Sequence, residues 1–267
     1  MLNLDSLRIV AGGPRVLLWD LETMQGKIEK GFYQLKNYST YENPDNVTRQ
    51  VSIVCAAWQW LGTDSVSSTS VLKDPERFQK CFHDDYFVVK SLHALLEDAD
   101  ILVAHNGDRF DWPMFNWRCV VHNLPPPKKP RLVDTLKIAK KEFKAESNSL
   151  RYLTKWLDVD GKDHSPNWQK IFQGDVQEIK DCERYCRQDI RALRGLYLRL
   201  RPYATSHANL NPMLTGIHHD TCPKCLSDDL ERRGFNYTNA GKFQSYRCKC
   251  CGSWSQGKKN LKTVEIR

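Results

Sequence analysis

Three short acidic clusters carry the chemistry that this sequence could perform. Asp20-Leu21-Glu22 stands at the end of the apolar run Arg15–Leu21 (RVLLWDL). Residues two apart on a strand point to one face, so both carboxylates would stand side by side. Two carboxylates on a buried strand repel each other and are costly to desolvate, and a divalent cation relieves both penalties. A strand that simply ends with its acids in water is the plainer account of such a pair. The second cluster, His105-Asn106-Gly107-Asp108-Arg109-Phe110-Asp111, follows the apolar run Ile101–Ala104 and offers two acids, Asp108 and Asp111. Asp111 falls at the start of an expected helix, where a carboxylate also serves as an ordinary cap. The third is Tyr185-Cys186-Arg187-Gln188-Asp189, inside a long helical pattern. Residues four apart stack on one helix face, so the phenol and the carboxylate share a surface. A surface acid beside a half-buried tyrosine is the competing account.

A different chemistry sits in the tail. Cys222-Pro-Lys-Cys225 and Cys248-Lys-Cys-Cys251-Gly are separated by residues 226–247. Two such knuckles are a strong signal for one structural zinc ion, with Cys222, Cys225, Cys248 and Cys251 as ligands. Cys251 is preferred because Cys-x-x-Cys followed by Gly completes a knuckle turn; Cys250 is its competitor. A redox dithiol would need a thioredoxin-like βαβ pattern, which the surrounding sequence lacks. The tail is also basic and aromatic, through Arg232, Arg233, Phe235, Tyr237, Phe243, Tyr246, Arg247 and Trp254. Unpaired bases stack on aromatic rings while Lys and Arg track phosphates. The same rings could instead fill the core of a module too small to fold without them.

The elements that must position these groups follow from periodicity. Arg15–Leu21, Phe32–Asn37 and Val51–Leu61 read as strands of a meander. Asp84–Asp98 carries a helical stripe, Ile101–Ala104 is a short buried strand, and a helix follows from Trp112 to about His122. Arg131–Val133 is a brief strand, and Asp134 is a suitable N-cap for a helix over Thr135–Phe143. Asn148 or Ser149 caps another helix, and the last runs from about Asp175 to Leu200. Strands interspersed with helices give an α/β fold with a mixed sheet flanked by helices. The expected organisation is a main domain over residues 1–203, a linker over 204–221 and a small basic zinc-ribbon module over 222–267.

Composition narrows the class. The 267 residues are 40% hydrophobic and 10% aromatic, which makes the chain globular rather than disordered. The formal net charge is +8, which favours a polyanionic partner. Ten Lys and Arg against four Asp and Glu lie between Cys222 and Arg267, so six of the eight excess charges are in the tail. The ten cysteines lack the even spacing of a secreted disulfide framework. No leader pattern opens the chain, and no run approaches the ~20 apolar residues of a membrane span. The expected compartment is the reducing cytoplasm, that of a host cell if the protein is viral.

Taken together, the strand Asp-x-Glu, the strand-to-helix Asp and the helical Tyr-x-x-x-Asp resemble the DEDD exonuclease superfamily. The motifs WDLET, HNGDRFD and YCRQD are similar to those of its Tyr-bearing (DEDDy) branch over roughly residues 15 to 200. That branch includes the proofreading domains of family B DNA polymerases. The stretch from Asp134 to Lys162 also resembles phage-type RNase H-like exonucleases, which often carry a C-terminal zinc ribbon. The resemblance implies an RNase H-like sheet and a two-metal mechanism with Mg²⁺ or Mn²⁺. It selects Asp111 over Asp108, since the acid after Phe is the ligand in the family. It implies that Asp20 bridges two ions, that Glu22 and Asp189 complete the first, and that Asp111 supports the second through water. Tyr185 would hydrogen-bond the attacking water, and a phenol of ordinary pKa, about 10, orients rather than deprotonates at neutral pH. A related branch has His five residues before the last Asp, where this chain has Arg184. The implied activity is 3′→5′ hydrolysis of single-stranded or frayed DNA ends, releasing nucleoside monophosphates, in the service of a replication polymerase in trans. An RNA 3′-end exoribonuclease is the alternative, and a non-catalytic nucleic-acid-binding accessory subunit is the alternative of another class.

Overall fold

The computed structural model describes residues 12–28, 44–159, 165–215 and 220–263. The strand expected over Phe32–Asn37 lies outside the described residues. Strand β1 (Val16–Met24) occupies the middle of a five-stranded sheet. It pairs antiparallel with β4 (Ser52–Trp60) and parallel with β6 (Ile101–Ala104), while a short ribbon of β2 (Lys27–Ile28) and β3 (Val47–Arg49) lies between β1 and β4 in sequence. β5 (Ser67–Ser70) borders β4, and β7 (Arg131–Asp134) runs parallel to β6 at the other edge, giving the order β5-β4-β1-β6-β7. The start of β1 is buried on both faces, with Val16, Leu17, Leu18 and Trp19 no more than 4% exposed. That is why RVLLWDL lacks a polar alternation.

Helices flank this sheet. They are α1 (Pro75–Lys80), α2 (Tyr86–Glu97), α3 (Asp111–Val121), α4 (Thr135–Glu142), α5 (Leu150–Trp156), α6 (Trp168–Ile171) and the long α7 (Val176–Leu200). Trp19 meets Trp112 and Phe115 of α3 edge-on, at ring separations of 6.4 and 5.8 Å. Such pairs add about 0.5–1.5 kcal/mol each beyond the area they bury. α7 packs across β1, β4 and β5. A fully buried carboxylate, Asp85, ties α3 to β4. It accepts from Arg118 Nε and Nη2 at 2.8 and 2.7 Å and from the Ile53 amide at 2.8 Å, with His122 Nε2 at 2.5 Å. Burial pushes this carboxyl upward, but the His122 and Arg118 hydrogen bonds prevail and hold it below its ordinary range.

β5 and α1 are among the elements that the periodicity reading does not predict. β5 is polar (SSTS) because Ser68 and Ser70 donate to the Glu183 carboxylate of α7 at 2.6 and 3.1 Å. Its pairing is polar, so a hydrophobic period does not reveal it. α1 announces itself through the Asp74 cap and Pro75 rather than through an apolar stripe.

Beyond α7 the chain stays against the core. Ala204, Ala208 and Leu210 are 0%, 6% and 0% exposed. β8 (Leu230–Thr238), β9 (Gly241–Cys248) and β10 (Trp254–Thr263) form an antiparallel sheet in the order β10-β9-β8. Its interior is the four cysteines Cys222, Cys225, Cys248 and Cys251, with Leu230 and Cys250 against them. Aromatic rings do not fill it. Among the described residues, no helix is long and apolar enough to cross a membrane.

Candidate active site

Asp20 and Glu22 stand on one face of β1, directly opposite Ala57 and Cys55 of β4. α7 covers this face with a stripe of Cys182, Cys186 and Asp189, spaced four and three apart. Small side chains on both surfaces let the helix come close. Cys55 and Cys182 sulfurs are 3.6 Å apart, and Cys186 Sγ lies 3.5 Å from the Asp20 carbonyl oxygen and 3.6 Å from its carboxylate. Asp189 is carried into the same space and is only 3% exposed. Carboxylate oxygens of Asp20, Glu22 and Asp189 all lie within 4.8 Å of one another. Tyr185 is half-buried one helical turn before Asp189. It lines a cleft of about 440 Å³ together with Asn167, Arg184, Gln188 and Arg191. Cys186 is the part of this arrangement that motif reasoning missed. Its only sequence signal is its place three residues before Asp189.

Asp111 enters differently. β6 pairs with β1 only as far as Leu18, and the carboxylate of Asp111 takes up the Leu21 amide beyond it, at 3.1 Å. It is 3% exposed and does not join the group of three oxygens. Burial pushes its pKa up to about 7, against hydrogen bonds from the Leu21 amide and its own, and the nearby Asp134 adds to the rise. Asp108 pairs with Lys137 and is not in the group of three. Gly107 permits the approach: a Cβ there would sit 2.4 Å from Ala104 Cβ and 3.5 Å from Asp111 Oδ2. Asn106 takes the left-handed turn at φ +72°. Asp134 caps α4 by accepting from Leu136 at 2.9 Å, and it also holds the Asn106 amide at 2.9 Å. His105 packs beneath the site, with its ring nitrogens 2.9 Å from Thr135 Oγ1 and 3.0 Å from the Asn148 carbonyl.

Both clusters fit metal ions by their donor chemistry and spacing. Two oxygens on one hard divalent ion, each about 2.0–2.4 Å from it, lie no more than about 4.8 Å apart. The Asp20, Glu22 and Asp189 set meets that limit. Four sulfurs about 2.3 Å from a tetrahedral zinc would be separated by roughly 3.8 Å. The Cys222–Cys251 and Cys225–Cys248 separations are 3.7 and 3.6 Å. Cys250 is not in this group. Hydrogen bonds within the group lower the pKa of Cys222 and Cys251 and raise that of Cys225 and Cys248. Two cationic residues lie near the cysteine group. Lys224 donates to the Pro202 carbonyl at 2.7 Å, and Arg201, directly after α7, is wholly buried with its guanidinium 5.7 Å from the Tyr197 ring. A third group of possible ligands, Asp84, Asp85 and His122, is already engaged, with Arg118 on Asp85 and Arg77 on Asp84, and holds the fold together.

The comparisons with known proteins point the same way. A family profile described as the RNase_H superfamily matches residues 62–201, just over half of the chain. No curated protein matches. Among solved structures, the family B DNA polymerase from the hyperthermophilic archaeon Pyrobaculum calidifontis is similar over 71% of this chain, with a TM-score of 0.52 and 17% identity. The likeness is one of fold, and this chain spans 25% of the polymerase's length. Such a fold supports a nuclease, and the profile match makes the chain a member of the RNase H superfamily.

Proposed function

We propose that the chain is a metal-dependent 3′→5′ exonuclease of the Tyr-bearing DEDD type, acting on single-stranded or frayed DNA ends and releasing nucleoside monophosphates. One observation carries this reading: the carboxylates of Asp20, Glu22 and Asp189 converge within 4.8 Å, and Tyr185 lies one helical turn from the last. In this reading residues 1–203 form the nuclease domain and residues 222–267 a zinc-ribbon module, joined by 204–221. A single structural zinc is held by Cys222, Cys225, Cys248 and Cys251. A replication polymerase acting in trans is the natural partner of such an activity.

Asp20, Glu22 and Asp189, with Asp111 as the fourth acid, would hold two Mg²⁺ or Mn²⁺ ions. Bound ions supply a water nucleophile at neutral pH and stabilise charge on the phosphate and the leaving 3′ oxygen. The chain's own residues do the rest. The half-buried phenol of Tyr185 donates or accepts one hydrogen bond and so fixes the direction of the attacking water. Asp111 holds the Leu21 amide and thereby sets the course of β1 between the two acids that flank Leu21. Arg184 and Arg191 line the cleft beside Tyr185 together with Glu178 and Asp181; Arg184 pairs with Asp181 at 2.8 Å, which leaves Arg191 as the cation best placed to meet a phosphate there.

The test is hydrolysis of 5′-labelled single-stranded DNA and RNA with Mg²⁺, alongside Asp20→Ala and Asp189→Ala. A ladder from the 3′ end that both substitutions abolish supports the proposal. Cleavage that survives them, or no cleavage of either polymer, overturns it.

A further inference from the structure

The three-stranded sheet has two unlike faces. Lys242, Gln244 and Tyr246 alternate along one side of β9. Their cross-strand partners share that side: Tyr237 and Lys262 opposite Lys242, Phe235 opposite Gln244, and Arg232 opposite Tyr246. The reverse side carries Phe243, Ser245 and Arg247, with Glu231 and Trp254 opposite Arg247. Cations therefore occur on both sides, but the only acid on the three strands, Glu231, lies on the reverse.

The first face holds rings that do no work in the module's interior. That interior is made of the four cysteines, Leu230 and Cys250. Phe235 and Tyr237 are instead 45% and 68% exposed, side by side; Trp254 on the reverse is 53% exposed but has no second exposed ring beside it among the described residues. Lys242 Nζ sits 3.7 Å from the Phe235 ring centroid and 5.8 Å from that of Tyr237. Exposed rings two residues apart stand about 6.5–7 Å from each other along a strand. The register shift between Arg232 and Phe235, at Gly234 with φ +68°, begins the segment that presents them.

We propose that this face, built of Phe235, Tyr237 and Tyr246 with Arg232, Lys242 and Lys262, is a docking surface for single-stranded nucleic acid. Unpaired bases stack on the flat rings, and the flanking cations meet the phosphates. Lys242 is flexible and covers the rings in the free protein; on binding its ammonium moves from ring to phosphate, so neither group is left bare. Charge complementarity commits the face to a polyanion, and the rings commit it to one whose bases are unstacked. The proposal deepens the exonuclease reading by giving the substrate strand a second contact away from the carboxylates.

The test is fluorescence anisotropy with full-length protein carrying Asp20→Asn, titrated against labelled mixed-sequence 20-mers of DNA and RNA. Phe235→Ala combined with Tyr237→Ala is expected to weaken binding at least tenfold on both polymers, because a ring stacks on a base whatever its sugar. Trp254→Ala, on the reverse face, stays within twofold. Lys242→Ala with Lys262→Ala lowers the slope of log K against log salt by roughly 1.4, at about 0.7 per lost phosphate contact on a single strand. Zinc content of each variant is measured. If the double alanine variant loses zinc, Phe235→Leu with Tyr237→Leu keeps the bulk without the flat rings and is expected to show the same loss. Unchanged affinity in the ring variants, an equal loss in Trp254→Ala, or a loss confined to one polymer overturns the proposal. Binding is read on a chain disabled at Asp20, so a failed exonuclease assay leaves these titrations standing.

Discussion

The carboxylate cluster and the cysteine cluster are assembled in opposite ways. Asp20 and Asp189 come from distant parts of the chain, and a large apolar core that includes Leu18, Trp19, Ile190 and Leu193 brings them together. The cysteines come from two local knuckles; among the described residues Leu230, Cys250 and Ser253 pack against them, while Leu226 is buried in the main core. The first site is therefore a consequence of the fold, paid for elsewhere in the core. The second has little apolar burial behind it, and its sheet depends on whatever holds the sulfurs. The difference teaches where the binding energy of an ion would go at each: into chemistry at the carboxylates, into structure at the cysteines.

Removing zinc tests this contrast most strongly, since a structural site of this kind contributes on the order of 10 kcal/mol. After chelation, amides of β8, β9 and β10 are expected to lose hydrogen-exchange protection while those of β1, β4 and β6 keep it. Retained protection in both sheets, or loss in both, breaks the comparison. Next comes Asp20→Ala, which should lower kcat at least 10³-fold, about 4 kcal/mol. Its Tm in metal-free buffer should not fall, because one of three crowded carboxylates has gone. A drop of many degrees would mean that the acids are structural after all.

The seam between the two regions offers a smaller effect. His207 accepts or donates to Tyr197 Oη at 2.8 Å, and burial lowers its pKa to about 4. Between pH 6.5 and 4 the unfolded chain binds the proton that the folded chain refuses. Stability is thus fully present above pH 6.5 and falls as the pH drops toward 4, by up to about 3 kcal/mol. Urea unfolding at pH 7, 5.5 and 4.5 measures it, and His207→Gln should flatten that dependence. Tyr185→Phe is the mildest change. It should lower kcat about 10- to 30-fold with KM unchanged, and a KM effect alone would assign Tyr185 to strand binding rather than to water.

The catalytic candidates and the central strand were legible because they are written in types and order. Asp20, Glu22, Tyr185 and Asp189 need only a strand period and a helix period to share their faces. The choice of Asp111 over Asp108 came from the resemblance; the structure puts Asp111 on the Leu21 amide, outside the group of three carboxylates, and pairs Asp108 with Lys137. Less could be read where polar groups are answered far away in the chain. Asp85, Arg118 and His122 form one buried network across 37 residues, and no local pattern marks it. Glu183 similarly conceals β5 from any apolar period. Composition alone grouped Phe235, Tyr237, Phe243 and Trp254; only the register of β9 divides them between two faces.

The length of α7 has a consequence for substrates. Asp189 and Leu200 lie on one continuous helix, so they are separated by about 16 Å at 1.5 Å per residue, and the cysteine knuckles begin beyond that. In the proposed reading a strand must span that helix to meet both the carboxylates and the ring-bearing sheet, and a mononucleotide would meet only one of them.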